Sequence, residues 1–207
     1  MYLFGTFRVI IVRDVYTFLK TMKKNLQTYS DIELTRMVAG SKTDSESAFT
    51  ELYNRYASMV HAYCYRVLND RDLVEDIFQD TFIKFYQTIK NNPEASNISG
   101  FLITMARNQC LNHRRDTRPT VSLEGIEISD ERASNYDSEE VLKLIEKALD
   151  LLDYEYKEVF IMREYDGLSY NDIGEICGIS SNNAKSRVFR ARLKMREILS
   201  PYLKEMC

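Results

Sequence analysis

The sequence predicts an all-α protein: two small helical domains joined by a flexible acidic linker, with a helix-turn-helix at the C-terminal end. Three observations lead to this prediction. Apolar residues recur with the 3.6-residue period of a helix through most of the chain. No strand-like alternation of any length competes with that period. A polar, acidic segment interrupts it once, between residues 117 and 140.

Residues 1–28 are predicted to form an N-terminal extension. They carry five basic residues and one acidic residue, and residues 1–12 are largely apolar. Arg8 interrupts this apolar run, which is too short to span a bilayer and lacks a small-residue cleavage site. We therefore expect no stable membrane insertion. Two interpretations remain open for the extension: a loosely ordered, disordered arm, or a misassigned start upstream of the one that the cell uses.

The first helical domain is predicted over residues 29–116. Ser30 or Asp31 can cap a short first helix, and two longer helices with regular apolar spacing follow the polar break at residues 40–45. Residues 91–100 then break the pattern, and a fourth helix runs from about Phe101 to the basic cluster at residues 113–115. The predicted core positions of the two longer helices are Ala48, Leu52, Tyr56, Val60, Tyr63, Val67, Leu73, Ile77, Phe78, Phe82, Phe85 and Ile89.

Residues 117–140 are predicted to be a flexible acidic linker. They contain two basic and seven acidic residues, a net charge of −5, and few large apolar residues. Such a segment buries too little apolar surface to offset its chain entropy. Helical periodicity returns at Val141, so residues 141–207 are predicted to form a second domain of four helices.

The last two predicted helices have the capping and turn residues of a helix-turn-helix. Residues 166–168 form a turn, and Ser169 with Asp172 fits a capping box that opens the first helix. Gly178 ends that helix and Ser180 caps the next one. In the second helix, four apolar residues at i, i+4, i+7 and i+11 predict a buried stripe: Ala184, Val188, Ala191 and Met195.

The remaining positions of the last helix are strongly cationic, with no acidic residue between Ser180 and Arg196. Surface helices usually interleave Glu with Lys, because pairs four residues apart stabilise the helix. A helix that enters a DNA major groove needs short polar residues near its start for base edges and cations along it for phosphates. The pattern therefore favours DNA binding over a solvated basic face. The cations are Lys185, Arg187, Arg190, Arg192, Lys194 and Arg196.

The sequence contains no motif for catalysis or for metal binding. Cys64, Cys110, Cys177 and Cys207 lack paired spacing, and His61 with Cys64 supplies two of the four ligands that a structural zinc site normally needs. There is no phosphate-binding glycine loop and no nucleophile elbow. We expect reduced cysteines in a cytoplasmic protein, no cofactor and no enzymatic activity.

Four segments in a fixed order resemble the bacterial RNA polymerase sigma factors of the sigma-70 family, in particular the short extracytoplasmic-function (ECF) group. Residues 72–82 (DLVEDIFQDTF) are similar to the family's A-E-D-x-x-Q-E-x-F helix, and residues 101–108 (FLITMARN) to W-L-x-x-I-A-R-N. Residues 167–173 match the start of the helix-turn-helix, and residues 178–187 contain counterparts of G-I-S and V-K-S-R. The resemblance covers about residues 29–200.

The chain departs from the family pattern at three places. Phe101 stands where Trp is usual, and Asn182-Asn183-Ala184 stands where G-T-V is common. Gly174 replaces the usual Ala in the first helix of the helix-turn-helix, although Gly costs up to about 1 kcal/mol in a helix interior. A close approach of the two helices there would explain that glycine.

The resemblance implies a factor that directs RNA polymerase core to specific promoters and promotes DNA melting for transcription initiation. It implies a sigma domain 2-like module at residues 29–116 and a sigma domain 4-like module at residues 141–207. Its implied partners are RNA polymerase core, promoter DNA and an anti-sigma factor, with the acidic linker mimicking nucleic-acid charge inside the polymerase. The implied core-polymerase-binding residues are Asp72, Glu75, Asp76, Gln79 and Phe82.

The resemblance also assigns two sets of DNA-binding residues. The loop at residues 88–99 corresponds to the segment that captures a flipped base of the −10 element, for which a polar pocket must replace lost hydrogen bonds. Residues of the following helix would line the path of the melted strand. The −10 set is Asn91, Asn92, Ser96, Asn97, Phe101, Arg107, Asn108, Arg114 and Arg115. The −35 set is Asn182, Asn183, Lys185, Ser186, Arg187 and Arg190.

Two other functions stay open on the residues alone. A stand-alone helix-turn-helix regulator would bind paired duplex half-sites as a dimer without polymerase. A protein-binding helical adaptor would use the basic helix as a docking surface. The stand-alone regulator gives no role to the helix at residues 72–82 or to the basic cluster at residues 107–115.

Overall fold

The computed structural model describes residues 26–68, 70–94, 97–116 and 138–203. These ranges are helical and contain no strand, which confirms the predicted all-α class. A 3-10 turn at Leu26–Thr28 precedes α1 (Asp31–Ala39), α2 (Lys42–Leu68), α3 (Arg71–Asn91) and α4 (Ile98–Asp116). The later helices are α5 (Ser138–Asp150), α6 (Tyr154–Glu164), α7 (Tyr170–Cys177) and α8 (Ser181–Leu203).

The chain divides into two compact units, one drawn from residues 1–58 and 80–102 and the other from residues 59–79 and 103–207. Residues 1–25 of the predicted extension (1–28) and residues 117–137 of the predicted linker (117–140) lie outside the described residues. The described ends of these two segments are helical, in the 3-10 turn at Leu26–Thr28 and in α5, which begins at Ser138. The domain limits expected from the sequence therefore stay predictions.

The first unit is built around aromatic side chains of α2 and α3. Phe82 is 4% exposed and packs edge-on against Tyr53, with ring centroids 4.8 Å apart. Phe85 is fully buried, and its ring centroid lies 6.4 Å from that of Phe82. Aromatic pairs in this geometry add stabilisation beyond their buried area. The predicted core positions of α2 and α3 in this unit are thus confirmed for Ala48, Leu52, Phe82, Phe85 and Ile89, whereas Tyr56 is only half-buried. Leu73, a predicted core position at the start of α3, is also only half-buried.

Helix α1 begins where the sequence predicts. The Ser30 N–H donates to Glu33 Oε2 at 2.7 Å, and the Glu33 N–H donates to Ser30 Oγ at 3.4 Å, which completes a capping box. Leu34 and Val38 on the opposite side of the helix are fully buried. The predicted cap and the predicted apolar face therefore belong to the same short helix.

In the second unit, α5, α6 and α7 all pack against α8. The predicted stripe of α8 is confirmed: Ala184, Val188 and Ala191 are fully buried and Met195 is 5% exposed. The stripe fixes the rotation of α8 about its axis, because these positions recur on one side of a helix. The α8 stripe meets a cluster that includes Ala148, Leu149 and Leu152.

The turn of the helix-turn-helix has the predicted caps at Ser169, Gly178 and Ser180. Ser169 and Asp172 form a capping box at the start of α7. Gly178 ends α7 with φ of 67°, in the left-handed region that favours glycine. The Asn183 N–H donates to Ser180 Oγ at 3.2 Å, which caps α8. Local hydrogen bonds therefore define both ends of the turn.

Gly174 allows the backbone of α7 to approach the turn closely. It is buried, and the N–H of Ile179 donates to its carbonyl oxygen at 2.9 Å. A Cβ atom at residue 174 would lie 2.8 Å from the Ile179 carbonyl oxygen and 3.3 Å from the Ser181 nitrogen. Both neighbouring atoms are backbone, so they cannot move aside as a flexible side chain can. The close approach explains why glycine stands at this position.

The described helices include none that is long and apolar enough to cross a membrane. Within the same residues, no group of three or more His, Cys, Asp or Glu side chains is placed to hold a metal ion. Cys64, Cys110 and Cys177 are free thiols.

We predict that Gly174→Ala destabilises the second unit, although alanine is the better helix former. The added methyl group forces a backbone shift, and overpacking of this kind typically costs about 1–3 kcal/mol. Urea unfolding followed by circular dichroism measures the change, with the exposed Glu175→Ala in the same helix as control. Unchanged or increased stability of Gly174→Ala would contradict the close-approach explanation.

Asp166, in the turn before α7, is a buried carboxyl group. Its Oδ2 atom has no hydrogen-bond partner among the described residues. Burial raises the pKa of Asp166 to about 7, although the positive charge of Arg66 acts in the opposite direction. The ordinary value in an unfolded chain is about 3.9. The folded state therefore binds this proton more tightly than the unfolded state does.

We predict that the stability contributed by protonated Asp166 is fully present below about pH 4 and is lost as the pH rises through about 7. Asp166→Asn removes this titration. The difference in urea midpoint between Asp166→Asn and wild type should favour the variant more at about pH 8 than at about pH 5. The exposed Asp76→Asn serves as control. A pH-independent difference would show that Asp166 ionises normally.

Candidate nucleic-acid and polymerase interfaces

Helix α8 directs a polar and cationic face away from its buried stripe. Asn182 and Asn183 are exposed in its first turn, where the main chain is fixed by the Ser180 cap. Lys185, Ser186 and Arg190 are also exposed. Short polar side chains thus stand near the start of the helix and cations follow, as major-groove reading requires.

The six cations of α8 fall into two groups. Three of them pair with acidic residues on or next to α6, and Arg187 is half-buried in its pair. The pairs are Arg187 Nη2 with Glu155 Oε2 at 3.0 Å, Arg192 Nη2 with Glu164 Oε1 at 2.6 Å, and Lys194 Nζ with Asp153 Oδ2 at 2.6 Å. Sequence reasoning missed these pairs, because acids from another helix supply the partners that α8 lacks.

The other three cations, Lys185, Arg190 and Arg196, are exposed and make no ion pair with another described residue. Phe189 lies between Ser186 and Arg190 in sequence, and 59% of its surface is exposed. Phe189 is not among the residues that the sequence predicts to bind DNA. The sequence did contain a signal for the exposure of Phe189. This residue lies outside the apolar stripe of α8, so its ring cannot pack into the core with that stripe.

The first two turns of α3 expose a polar face. Asp72, Glu75, Asp76 and Gln79 are all exposed. Glu75 Oε1 lies 2.8 Å from Nε2 of His61, whose ring packs edge-on against Phe78 with ring centroids 5.4 Å apart. The opposite face is core, with Val74 at 1% and Ile77 at 6% exposure. The sequence-predicted polar residues therefore share one accessible surface, whereas Phe82 lies in the aromatic core described above.

The loop after α3 carries exposed amides. Asn91, Asn92 and Asn97 are exposed, and Nδ2 of Asn91 donates to the Gln87 carbonyl oxygen at 3.0 Å. Oδ1 of Asn97 accepts from the Gly100 N–H at 2.9 Å and so caps α4. The predicted residue Ser96 lies outside the described residues.

On α4, the predicted −10 residues differ in their surroundings. Asn108 is exposed, and Phe101 is half-buried with its ring centroid 6.1 Å from that of Phe85. The guanidinium of Arg114 lies over the Tyr154 ring, 3.8 Å from its centroid. The side chain of Arg115 lies outside the described residues.

The Arg107 guanidinium forms hydrogen bonds with Glu158 and with the backbone of α7. Its Nε donates to Glu158 Oε2 at 2.7 Å and its Nη2 donates to Glu158 Oε1 at 3.1 Å. Its Nη1 donates to the Ile176 carbonyl oxygen at 3.3 Å. The two side chains are 13% and 3% exposed. A two-pronged, largely buried pair of this kind is geometrically specific. The Glu158 carboxylate thus accepts from both Nε and Nη2 of this guanidinium.

Comparison with known families matches both halves of the chain. Residues 52–120 match the family described as Sigma-70 region 2, and residues 142–195 match Sigma-70, region 4. The first match contains the exposed face of α3 and the loop after it, and the second contains the helix-turn-helix.

Individual relatives agree with these matches. The chain is 30% identical over 159 residues to RNA polymerase sigma factor YlaC of Bacillus subtilis, covering 71% of this chain and 89% of that protein. It is 26% identical over 172 residues to the ECF RNA polymerase sigma factor SigW of Bacillus subtilis, covering 76% and 92%.

Two solved structures share the fold. The sigma factor RpoE in complex with the anti-sigma factor NepR, from Bartonella quintana, matches with a TM-score of 0.58 and 28% identity over 73% of this chain and 96% of that chain. CnrH in complex with the cytosolic domain of CnrY matches with a TM-score of 0.62 and 21% identity over 83% and 97%. The chain therefore belongs to the extracytoplasmic-function group of the sigma-70 family, the sigma factors that direct RNA polymerase to promoters.

Proposed function

We propose that α8 reads the −35 element of the promoter in the major groove. The observation that carries this proposal is the division of the α8 cations, which leaves Lys185 and Arg190 unpaired beside exposed Ser186. Asn182, Asn183 and Ser186 offer donors and acceptors to base edges, and the cations meet phosphates. Phe189 adds an apolar contact of the kind that a thymine methyl group makes.

Arg187 joins this surface in a different way. Its ion pair with Glu155 leaves 30% of its side chain exposed. Glu155 can orient the guanidinium, because a paired arginine loses less conformational freedom when it meets a second anion. In this proposal Arg187 contacts the DNA from a pre-set position, whereas Lys185 and Arg190 order on binding.

We further propose that the loop after α3 and the exposed side of α4 meet the −10 element. The amides of Asn91, Asn92 and Asn97 are exposed, and Ser96 belongs to the same loop. An extruded base needs such donors and acceptors to replace its pairing. Asn108, Arg114 and Arg115 follow on α4 and supply polar and cationic groups for the melted strand, and Phe101 supports them from its half-buried position.

Arg107 reaches the melted strand by exchanging one anion for another. In the absence of DNA, its guanidinium is satisfied by the Glu158 carboxylate. Removing the Glu158 carboxylate from the largely buried Arg107 guanidinium is costly. A DNA phosphate must therefore accept hydrogen bonds from the same two donors, Nε and Nη2 of Arg107. We propose that Glu158 holds the Arg107 side chain until that phosphate arrives.

We propose that the exposed face of α3 binds polymerase core through Asp72, Glu75, Asp76 and Gln79. Phe82 supports this face from within, because its ring fixes α3 against α2. The residues 117–140, with a net charge of −5, would follow the RNA path of the enzyme as a nucleic-acid mimic.

The proposal also covers partners and location. The Bartonella relative is 28% identical and was solved with an anti-sigma factor, which supports a partner of the same kind for this chain. We expect the chain to act in the cytoplasm, where polymerase works, to need no cofactor and to perform no covalent chemistry. The sequence-predicted modules at residues 29–116 and 141–207 are the two parts that engage the promoter.

A mobility shift tests the proposed function directly. Promoter duplex is mixed with the chain alone, with polymerase core alone, and with both. Saturable, sequence-dependent binding in the complete mixture is expected, because either module alone neutralises few phosphates. Tight duplex binding by the chain alone would favour the stand-alone regulator. Core binding without any effect on promoter choice would favour the adaptor.

We predict that Arg190→Ala weakens promoter binding by the polymerase complex and makes the negative slope of log affinity against log salt shallower by about 0.9. Arg190 has no ion pair among the described residues, so its loss removes a proposed phosphate contact without freeing a described acidic partner. Arg192→Ala is the matched control, because Arg192 is a cation of the same helix that pairs with Glu164 and lies outside the proposed −35 set. Equal losses in the two variants would contradict the division of the cations.

We predict that Asp76→Lys weakens binding to polymerase core about tenfold, since a reversed charge at an interface opposes the complementary patch. Glu146→Lys makes the same charge change on an exposed position of α5 and should leave core affinity unchanged. Fluorescence anisotropy of labelled chain against purified core, at constant salt, measures both. Identical effects would mean that total charge, rather than the α3 face, governs core binding.

A further inference from the structure

Two side chains of α1 hold the loop that follows α3. The Thr35 hydroxyl lies 2.7 Å from the carbonyl oxygen of Pro93 and 3.0 Å from that of Ile32, and its single proton donates to the nearer, Pro93 oxygen. Nε and Nη2 of Arg36 donate to the two carboxylate oxygens of Glu94, at 3.3 and 3.1 Å. Thr35 is fully buried, so no water can replace its hydrogen bond. Two consecutive residues of α1, Thr35 and Arg36, thus form hydrogen bonds with two consecutive residues of the loop, Pro93 and Glu94.

Helix α1 is itself fixed to α2. Arg55 of α2 donates to Asp31 Oδ1 at 2.9 Å and to the carbonyl oxygens of Leu26 and Tyr29 at 3.2 and 2.9 Å. The Tyr56 hydroxyl donates to the other carboxylate oxygen of Asp31. The start of α1 and the turn before it are therefore tied to a long helix. Thr35 and Arg36 therefore contact the loop from a helix whose position is fixed by its hydrogen bonds to α2.

The loop is also fixed where it enters α4. Asn97 Oδ1 accepts from the Gly100 N–H at 2.9 Å and from Ser99 Oγ at 3.1 Å. Ile98 is 1% exposed and anchors the first residue of the helix. A Cβ atom on Gly100 would lie 2.7 Å from Nδ2 of Asn97, so the glycine makes room for this cap. The loop is thus held at residues 93–94 and again at residue 97.

We propose that Thr35 and Arg36 are positioning residues for −10 recognition, because they set the place of the loop through Pro93 and Glu94. The inference rests on the proposed function, in which this loop meets the −10 element. A site that reads an extruded base must hold its donors and acceptors in place before the base arrives. Anchoring the loop backbone while its amides stay exposed meets that requirement. Thr35 and Arg36 themselves need not touch DNA.

The test uses the full chain bound to polymerase core. Wild type first selects its preferred −10 sequence from a promoter library in run-off transcription, and selectivity is the yield ratio between that sequence and singly substituted ones. Thr35→Val removes the hydroxyl at nearly constant shape and should lower the selectivity ~5-fold, the value of one hydrogen bond. Thr35→Ser keeps the hydroxyl and should restore it. The exposed Asn54→Ala on α2 is the control.

The ion pair provides a second, independent variant. Arg36→Glu opposes Glu94 and should also lower the selectivity, whereas the double variant Arg36→Glu/Glu94→Arg should restore it. Core affinity and −35 preference are measured in parallel, at a temperature where each variant is folded by circular dichroism. A residue that positions the loop leaves these two quantities close to wild type, whereas a residue that merely stabilises the fold changes them together with selectivity.

The outcomes separate the two proposals. Wild-type selectivity in both Thr35→Val and Arg36→Glu would overturn the positioning role. A uniform loss of transcription on every −10 sequence, together with lower core affinity, would also overturn it. If the wild-type complex itself shows no −10 preference, the proposed function fails at a step before any variant is compared.

Discussion

The burial of one apolar stripe on α8 is the constraint on which the exposed polar and cationic surface of this helix depends. Ala184, Val188, Ala191 and Met195 fill the space against the neighbouring helices, and this fixes which side of α8 faces outward. Close packing of that kind leaves no freedom to rotate the helix by even one position. The exposed amides and cations therefore take their places as a consequence of the core, and the caps at Ser180 and Gly178 set where the helix begins.

A common arrangement recurs at the two surfaces proposed to meet DNA: the backbone is fixed by buried contacts, and the side chains proposed to contact nucleic acid stay accessible. Acidic residues are also part of this arrangement, because they form ion pairs with some of the cations. Glu155 and Glu158 pair with Arg187 and Arg107. Such pairs keep positively charged side chains oriented. In the proposed function, the α8 cations that have no acidic partner among the described residues supply attraction at longer range.

Local features of the fold could be predicted from the sequence, and long-range contacts could not. The helices, the Ser30 and Ser169 capping boxes and the α8 stripe depend on residues a few positions apart, so periodicity and cap chemistry were enough. The contacts of Thr35 with Pro93 and of Arg107 with Glu158 join residues 58 and 51 positions apart. They depend on how helices cross, which no local pattern encodes. For the same reason the sequence showed six similar cations where the structure has two groups.

The account requires that the α3 face and the α8 face act together in one polymerase complex. Run-off transcription by purified core with this chain, on a library randomised at both promoter elements and at their spacing, tests that requirement most directly. We predict transcripts that share two sequence elements at one preferred separation and that disappear when the chain is omitted. Transcripts that depend on a single element at any separation, or that appear equally without the chain, would contradict it.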